Sequence, residues 1–224
     1  MKDHWKEAIR IFMALGYLVK GKDPDGMEIR STMDTSFKRR SKDRGPLKKS
    51  LSVLRQEGQC DIGRTLGQIL NDLHPENSTK TNRLSVPWAR QKWGVSIYVL
   101  TDGVWEPGDE WISRVIRPIK KLIASGMQKG NLGIQFIQFG SHTVGTERLQ
   151  MLDDKLKEYG VEEDFIDTEP STGNIFKMLL GSIDDAADHQ NPPPSSLHSP
   201  RHSRHSSTTS TAATPYSIQK EMRG

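Results

Sequence analysis

Two short stretches of the chain place carboxylates or a thiol where proteins often bind ions or carry out covalent chemistry. A β-rich run, 95–100, ends at Thr101-Asp102-Gly103, and Cys60 and Asp61 lie in a loop bounded by glycines, 58–63. Carboxylate oxygens are ligands for hard cations such as Mg²⁺, whereas a thiol ahead of a helix can act as a nucleophile when a histidine serves as its base. No signature surrounds any of the candidate bases, which are His4, His74, His142 and His189. We therefore expect an inert cysteine rather than a catalytic one.

Alternating helical and strand patterns must position these residues. Helical spacing of apolar side chains occurs in 4–19, 66–73, 112–123, 149–159 and 175–183, and strand-like runs occur in 27–30, 95–100, 134–139 and 165–167. Strands separated by helices of this length indicate βαβ units and a mainly parallel sheet. Ligands bind beyond the carboxyl ends of the strands in such sheets, so Asp102 is the strongest single candidate for a functional residue.

Several of these segments together resemble the von Willebrand factor type A (vWA) domain in its fungal-type members. Residues 98–103, Tyr-Val-Leu-Thr-Asp-Gly, resemble the family's strand and aspartate loop, and residues 23–29 resemble its turn and second strand. Residues 136–140, 149–156 and 164–168 resemble the later strand, helix and strand. The resemblance covers residues 1–184 and implies an α/β, Rossmann-like fold with a doubly wound, mainly parallel sheet flanked by helices.

The family's metal-ion-dependent adhesion site is built from three loops: Asp-x-Ser-x-Ser, a threonine in Gly-x-Thr-x-x-Gly, and an aspartate in Thr-Asp-Gly. Asp102 matches the third loop, Cys60 stands at the threonine position of the second, and the neighbouring Asp61 is a substitute ligand. The first loop and the family's central first strand are absent, because Met1 aligns with the start of the first helix. We therefore expect a domain that is truncated at its N-terminus, or else a diverged copy, whose isolated chain folds poorly. Since a thiol suits Mg²⁺ badly, we expect no cofactor, and a divalent cation such as Mg²⁺ only if the missing loop is restored.

Composition divides the chain at about residue 187. The last part, 188–224, is rich in Ser, Thr, Pro, His and Arg, and it has too few apolar side chains to offset the entropy of ordering, so we predict a disordered tail. Residues 191–224 hold four bases and one acid, which leaves 28 bases and 27 acids in 1–190. The body is therefore close to neutral, and we do not expect nucleic-acid binding. Its densest basic run, 38–44, is predicted to be a solvated insertion loop, with a phosphate contact or a nuclear localisation signal as the alternatives.

The residues and the resemblance together favour a non-catalytic protein–protein interaction module with a degenerate or incomplete adhesion site. The alternative is an enzyme or a nucleotide or anion binder on the same scaffold, but the chain has no Gly-x-Gly-x-x-Gly, no phosphate-binding loop and no paired acid and base. The family's mode of binding implies a protein partner that offers an acidic side chain. Trp105 and Trp111 follow the aspartate loop and could form the rim of the binding surface, whereas Trp88 and Trp93 are as readily core residues. No apolar run is long enough to span a membrane and no signal peptide is present, so we expect a cytoplasmic location, with the nucleus as the alternative.

Overall fold

The computed structural model describes residues 1–20, 22, 26–54, 60–74, 94–105, 108, 110–128 and 130–182. All of them belong to one compact unit, Met1–Gln190. In chain order, the helices and strands are α1 (Trp5–Leu18), β1 (Met27–Arg30), β2 (Lys38–Ser41), α2 (Arg44–Ser52), α3 (Ile62–Leu73), β3 (Val95–Thr101), α4 (Glu110–Ala124), β4 (Leu132–Gln138), α5 (Thr143–Asp154), β5 (Ile166–Pro170) and α6 (Ile175–Leu180). The predicted tail 188–224, the predicted domain end at 184, and the tryptophans at 88 and 93 lie outside the described residues.

Strands β3, β4 and β5 form a parallel sheet with β4 in the middle. Val99 of β3 lies opposite Phe136 of β4, which in turn lies opposite Thr168 of β5. Helix α4 joins β3 to β4 and helix α5 joins β4 to β5, since parallel strands need a crossover connection. The prediction of a mixed α/β fold with a parallel sheet flanked by helices is therefore confirmed.

Apolar clusters cover both faces of this sheet, because neighbouring side chains of β4 enter different clusters. Phe136 belongs to a cluster built with buried residues of α3, α4 and α5, and Ile137 belongs to a cluster built with α1 and α6. Successive side chains of a strand point to opposite faces, so the two clusters lie on opposite sides of the sheet. Strand β4 is consequently buried along almost its whole length.

Strand β3 is less enclosed than β4 although its sequence is strongly apolar. Most of its residues are half-buried, and within the described residues it pairs with β4 alone. The Phe139 N–H donates to the Thr101 carbonyl, and the Val95 N–H donates to the Asn131 carbonyl. The backbone groups of Thr101 and of every second residue before it, back to Val95, therefore point towards β4. The backbone N–H and C=O groups of Ser96, Tyr98 and Leu100 therefore point away from it.

The basic run 38–44 is not a loop, so that prediction is wrong. Its first part is strand β2, which pairs antiparallel with β1 in a separate two-stranded sheet. Alternate bases of β2 meet one carboxylate of β1, because Lys38 Nζ and Arg40 Nη2 lie 3.4 Å and 3.1 Å from the Glu28 carboxylate. Arg39 points the other way and lies over the Phe37 ring, 5.2 Å from its centroid. The run is solvated as predicted, but ion pairs and strand pairing order it.

Among the helices of the described ranges, none combines the length and the hydropathy that crossing a bilayer requires.

Candidate functional site

The loop that follows β3 is held in shape by its own side chains. Thr101 is buried and its Oγ1 accepts a hydrogen bond from the Gly103 N–H at 3.0 Å. Asp102 Oδ1 accepts a hydrogen bond from the Val104 N–H at 3.1 Å. Gly103 has φ of 73°, a left-handed conformation that side chains disfavour. Threonine, aspartate and glycine in this order therefore build a tight turn at the carboxyl end of the strand.

The same loop lies directly against the start of α5. A Cβ atom on Gly103 would come within 2.5 Å of the Gly145 Cα, and a Cβ on Gly145 would come within 2.1 Å of the Asp102 carbonyl oxygen. Neither glycine can carry a side chain without moving backbone, because real Cβ atoms essentially never lie within 3.0 Å of another heavy atom. The position of Asp102 is thus fixed by backbone contact with α5 as well as by the turn.

The Asp102 carboxylate lies at the edge of the sheet, where its side chain is 21% exposed. Its Oδ2 is in an ion pair with the amino group of Met1. Two apolar side chains accompany it: Val104 in the loop and Val144 at the start of α5 are both exposed. We call Asp102, Val104 and Val144 the edge site. It combines a partly exposed carboxylate with a small apolar surface.

Asp61 caps α3 rather than extending from the loop. Its Oδ1 accepts a hydrogen bond from the Arg64 N–H at 2.8 Å, as an N-cap residue does. The Arg114 guanidinium of α4 lies 3.5 Å from its carboxylate. Asp61 and Asp102 thus have different partners, and the structure shows no contact that joins them.

Cys60 is half-buried next to this cap. Its Sγ donates a hydrogen bond to Thr32 Oγ1 at 3.1 Å, and the side chain packs against the apolar cluster that contains α3 and α4. The Asp61 N–H donates to the Thr32 carbonyl at 3.0 Å. These contacts tie the loop before α3 to the segment that follows β1, which is a structural role for the cysteine.

The donor atoms of these three residues do not fit Mg²⁺. This cation requires hard oxygen ligands in near-octahedral geometry, and Cys60 supplies a soft thiol. The oxygens of Asp61 and Asp102 already accept hydrogen bonds from backbone N–H groups and bind cationic partners. Within the described ranges, no three His, Cys, Asp or Glu side chains converge in a way that could hold a metal ion.

The tryptophans after the aspartate loop do not form a binding rim. Trp105 and Trp111 are both buried, and their rings meet edge to face with centroids 5.0 Å apart. The Arg148 guanidinium of α5 covers them, 5.6 Å and 6.0 Å from the two ring centroids, and its Nη1 donates to the Trp105 carbonyl at 3.1 Å. The rim hypothesis is therefore wrong for this pair, whose role is to anchor the loop and α4 in the core.

Two residues in and beside the edge site have no sequence signal of their own. Val144 and Gly145 lie in a segment without any motif, and their relevance follows only from the contact between α5 and the Asp102 loop. The glycines at 103, in the aspartate loop, and at 145, in the first turn of α5, are the sequence feature that could indicate this close approach.

No family model matches the chain, and neither a curated protein nor a solved structure is detectably similar to it.

Proposed function

We propose that this chain is a non-catalytic protein–protein interaction module of the vWA type, with a degenerate or incomplete adhesion site, and that it contacts its partner through the edge site. The observation that carries the proposal is the loop at the end of β3, where Asp102 is fixed against α5 and where Val104 of the loop and Val144 of α5 are both exposed. Loops fixed on a rigid sheet are typical binding surfaces, because the scaffold lowers the entropy lost on association.

The arrangement of the strands supports the finer proposal of a doubly wound vWA fold. An antiparallel hairpin, β1–β2, precedes three parallel strands, and the Thr-Asp-Gly loop follows the first of these. Strand β3 has backbone groups that point away from β4, and its apolar side chains are half-buried. In the vWA family a central strand lies beside this one, and on the side of β3 away from β4 the described residues place no strand.

The chemistry of the edge site favours binding without a metal bridge. In the family, a partner's acidic side chain completes the coordination of the metal, but the donors here do not fit Mg²⁺. Contact would instead come from burial of Val104 and Val144, with the Asp102 carboxylate as a partly exposed hydrogen-bond acceptor. Burial of apolar surface contributes about 25 cal/mol per Å², so two valines supply a modest affinity that a larger interface must extend.

The test is quantitative affinity capture with the full chain and two charge-insertion variants. Val104→Asp with Val144→Asp disrupts the edge site, and Val53→Asp introduces the same group at another highly exposed valine, which follows α2. We expect a defined set of proteins to be retained by the wild type and by Val53→Asp and lost by the double variant, with circular dichroism unchanged. If no retained protein depends on the edge site, the proposal fails.

A further inference from the structure

A groove runs between helices α3 and α4, and two glycines bring the helices together beneath it. A Cβ on Gly63 would lie 2.9 Å from the Trp111 Cα, and a Cβ on Gly67 would lie 2.6 Å from the Arg114 carbonyl oxygen. Because the earlier glycine meets the earlier residue of α4, the two helices run in the same direction. Their exposed side chains line a groove of about 870 Å³, which we call the α3–α4 groove.

The charges along this groove are unequal. Four bases and two acids line it, and both acids are engaged by one base: Arg114 lies 3.5 Å from Asp61 and 3.3 Å from Glu110. The other three bases, Arg64, Arg117 and Lys121, are exposed and have no ion-pair partner in the part of the chain that the structure describes. Residues 1–190 are nearly neutral, so this surplus is local to the groove.

Helix stability accounts for only one of these bases, Lys121, which lies in the last turn of α4, where the helix dipole favours a cation. Arg64 is the third residue of α3, where the positive end of the helix dipole disfavours a cation. Arg117 is not in that last turn, and it lies one turn before Lys121, a spacing at which like charges destabilise a helix. A bound anion would relieve both kinds of repulsion, whereas an empty groove leaves them unrelieved.

We propose that the α3–α4 groove binds an acidic segment of a partner protein, whose carboxylates pair with Arg64, Arg117 and Lys121. From Glu110 to Lys121 the α4 side of the groove is about 16 Å long at 1.5 Å per residue, which matches about five residues of extended peptide. Gln68 and Ser113 also line the groove and offer hydrogen bonds to a peptide backbone. The lining includes no aromatic ring, on which the bases of a single-stranded nucleic acid would stack, so a peptide fits it better.

This surface extends the proposed function without depending on it, because the groove and the edge site use different elements. Asp61 and Glu110 occupy one end of the groove, near the starts of both helices, and Lys121 occupies the other. The electrostatic potential along the groove therefore becomes more positive from the Asp61 and Glu110 end towards the Lys121 end. It favours a segment whose acidic residues are concentrated towards the Arg117 and Lys121 end.

The experiment measures fluorescence anisotropy of labelled hexaglutamate, with labelled hexaglutamine as the uncharged probe, on the full chain. We expect saturable binding of hexaglutamate only, weakened when NaCl is raised from about 50 to about 300 mM, because exposed ion pairs are screened. Reversal of two charges, Arg117→Glu with Lys121→Glu, should weaken binding by at least about tenfold, since each lost attraction becomes a repulsion.

The matched control is Lys6→Glu with Arg10→Glu, which reverses two exposed bases at the same spacing on α1. It changes net charge equally, so we expect less than about a twofold effect at moderate salt. Asp102→Ala should leave hexaglutamate binding unchanged, which separates this inference from the edge site. Equal losses in the two double variants, equal binding of hexaglutamine, or no saturable binding at all would each overturn the proposal.

Discussion

Substitution of Gly67 by alanine tests the packing that creates the α3–α4 groove. The added Cβ would lie 2.6 Å from the Arg114 carbonyl oxygen, and real Cβ atoms essentially never approach another heavy atom below 3.0 Å. The obstructing atom belongs to the helix backbone, so no rotamer change can relieve the contact. The helices must separate, and the apolar residues that α3 and α4 bury between them must repack.

The size of the effect follows from two opposing terms. Alanine is more favourable than glycine inside a helix by about 1 kcal/mol, whereas forcing extra volume into a packed interface costs about 1–3 kcal/mol. Gly16 provides the control, because it lies inside α1 and a Cβ there would approach only flexible side-chain atoms of Arg44 and Met27, at 3.1 Å. The two substitutions share most of the propensity gain, so the difference between them is close to the packing cost of about 1–3 kcal/mol.

Urea unfolding followed by far-UV circular dichroism measures this difference. With a slope of about 2 kcal/mol/M, we expect the midpoint of Gly67→Ala to lie about 0.5–1.5 M below that of Gly16→Ala. If Gly67→Ala unfolds at the same or a higher urea concentration, the helices are not held at the distance that the structure shows. The α3–α4 groove would then lack the close helix packing that shapes it.

Three further predictions concern the sheet and its edge. Tyr98→Phe removes a 3.0 Å hydrogen bond to the Leu179 carbonyl and should cost about 0.5–1.5 kcal/mol in urea unfolding. Burial raises the pKa of Tyr98 above its usual value, so the unfolded chain loses the phenolic proton first and the stability of the folded chain falls as the pH rises above about 10. The Tyr98→Phe variant should lack this part of the decline. A pH profile identical to that of the wild type would contradict the prediction. Gly145→Ala places a Cβ 2.1 Å from the Asp102 carbonyl oxygen and should destabilise the domain by about 1–3 kcal/mol. Val144→Ala, at an exposed position, should change the free energy of unfolding by no more than about 0.5 kcal/mol. Equal stabilities of the two variants would refute the close approach. Calorimetric titration with millimolar Mg²⁺ should give no saturable heat, and saturable binding that disappears in Asp102→Ala would show that the donors do fit the cation.

Much of the fold could be predicted because periodicity reports burial on one face or two. The apolar stripe in 4–19 corresponds to α1, Trp5–Leu18, and the continuous run in 134–139 overlaps β4, which is covered on both faces. Helix α2 was missed because only Leu47 and Leu51 bury its apolar side, and two leucines one turn apart are too few to establish a period. Strand β2 was missed because its residues are bases whose pairing with Glu28 depends on the neighbouring strand. Charge patterns alone do not contain that information.

The candidate site was only partly predictable, because the partners of its residues come from distant parts of the chain. Asp102 was placed correctly at the carboxyl end of a core strand, since a local strand pattern determines that position. Its contact with Gly145 and the burial of Trp111 under Arg148 depend on how α5 packs over the loop. Tryptophan occurs both in protein cores and at binding interfaces, so the sequence alone does not show which of the two roles a given tryptophan has.

Asp61 shows why a residue in a ligand position need not act as a ligand. Its carboxylate accepts the Arg64 N–H as the cap of α3 and lies near the Arg114 guanidinium. Loss of such a cap costs about 0.5–2 kcal/mol, and an exposed ion pair of this kind contributes at most about 1 kcal/mol. A cation that recruited Asp61 would have to compensate for both contacts, and Mg²⁺ would also have to give up tightly held water for a site whose next donor is a thiol. The Asp61 carboxylate instead pairs with Arg114 and leaves Arg64, Arg117 and Lys121 as the uncompensated charge of the α3–α4 groove. A residue whose sequence position suggests a metal ligand therefore belongs, in the folded chain, to the groove that we propose binds acidic segments.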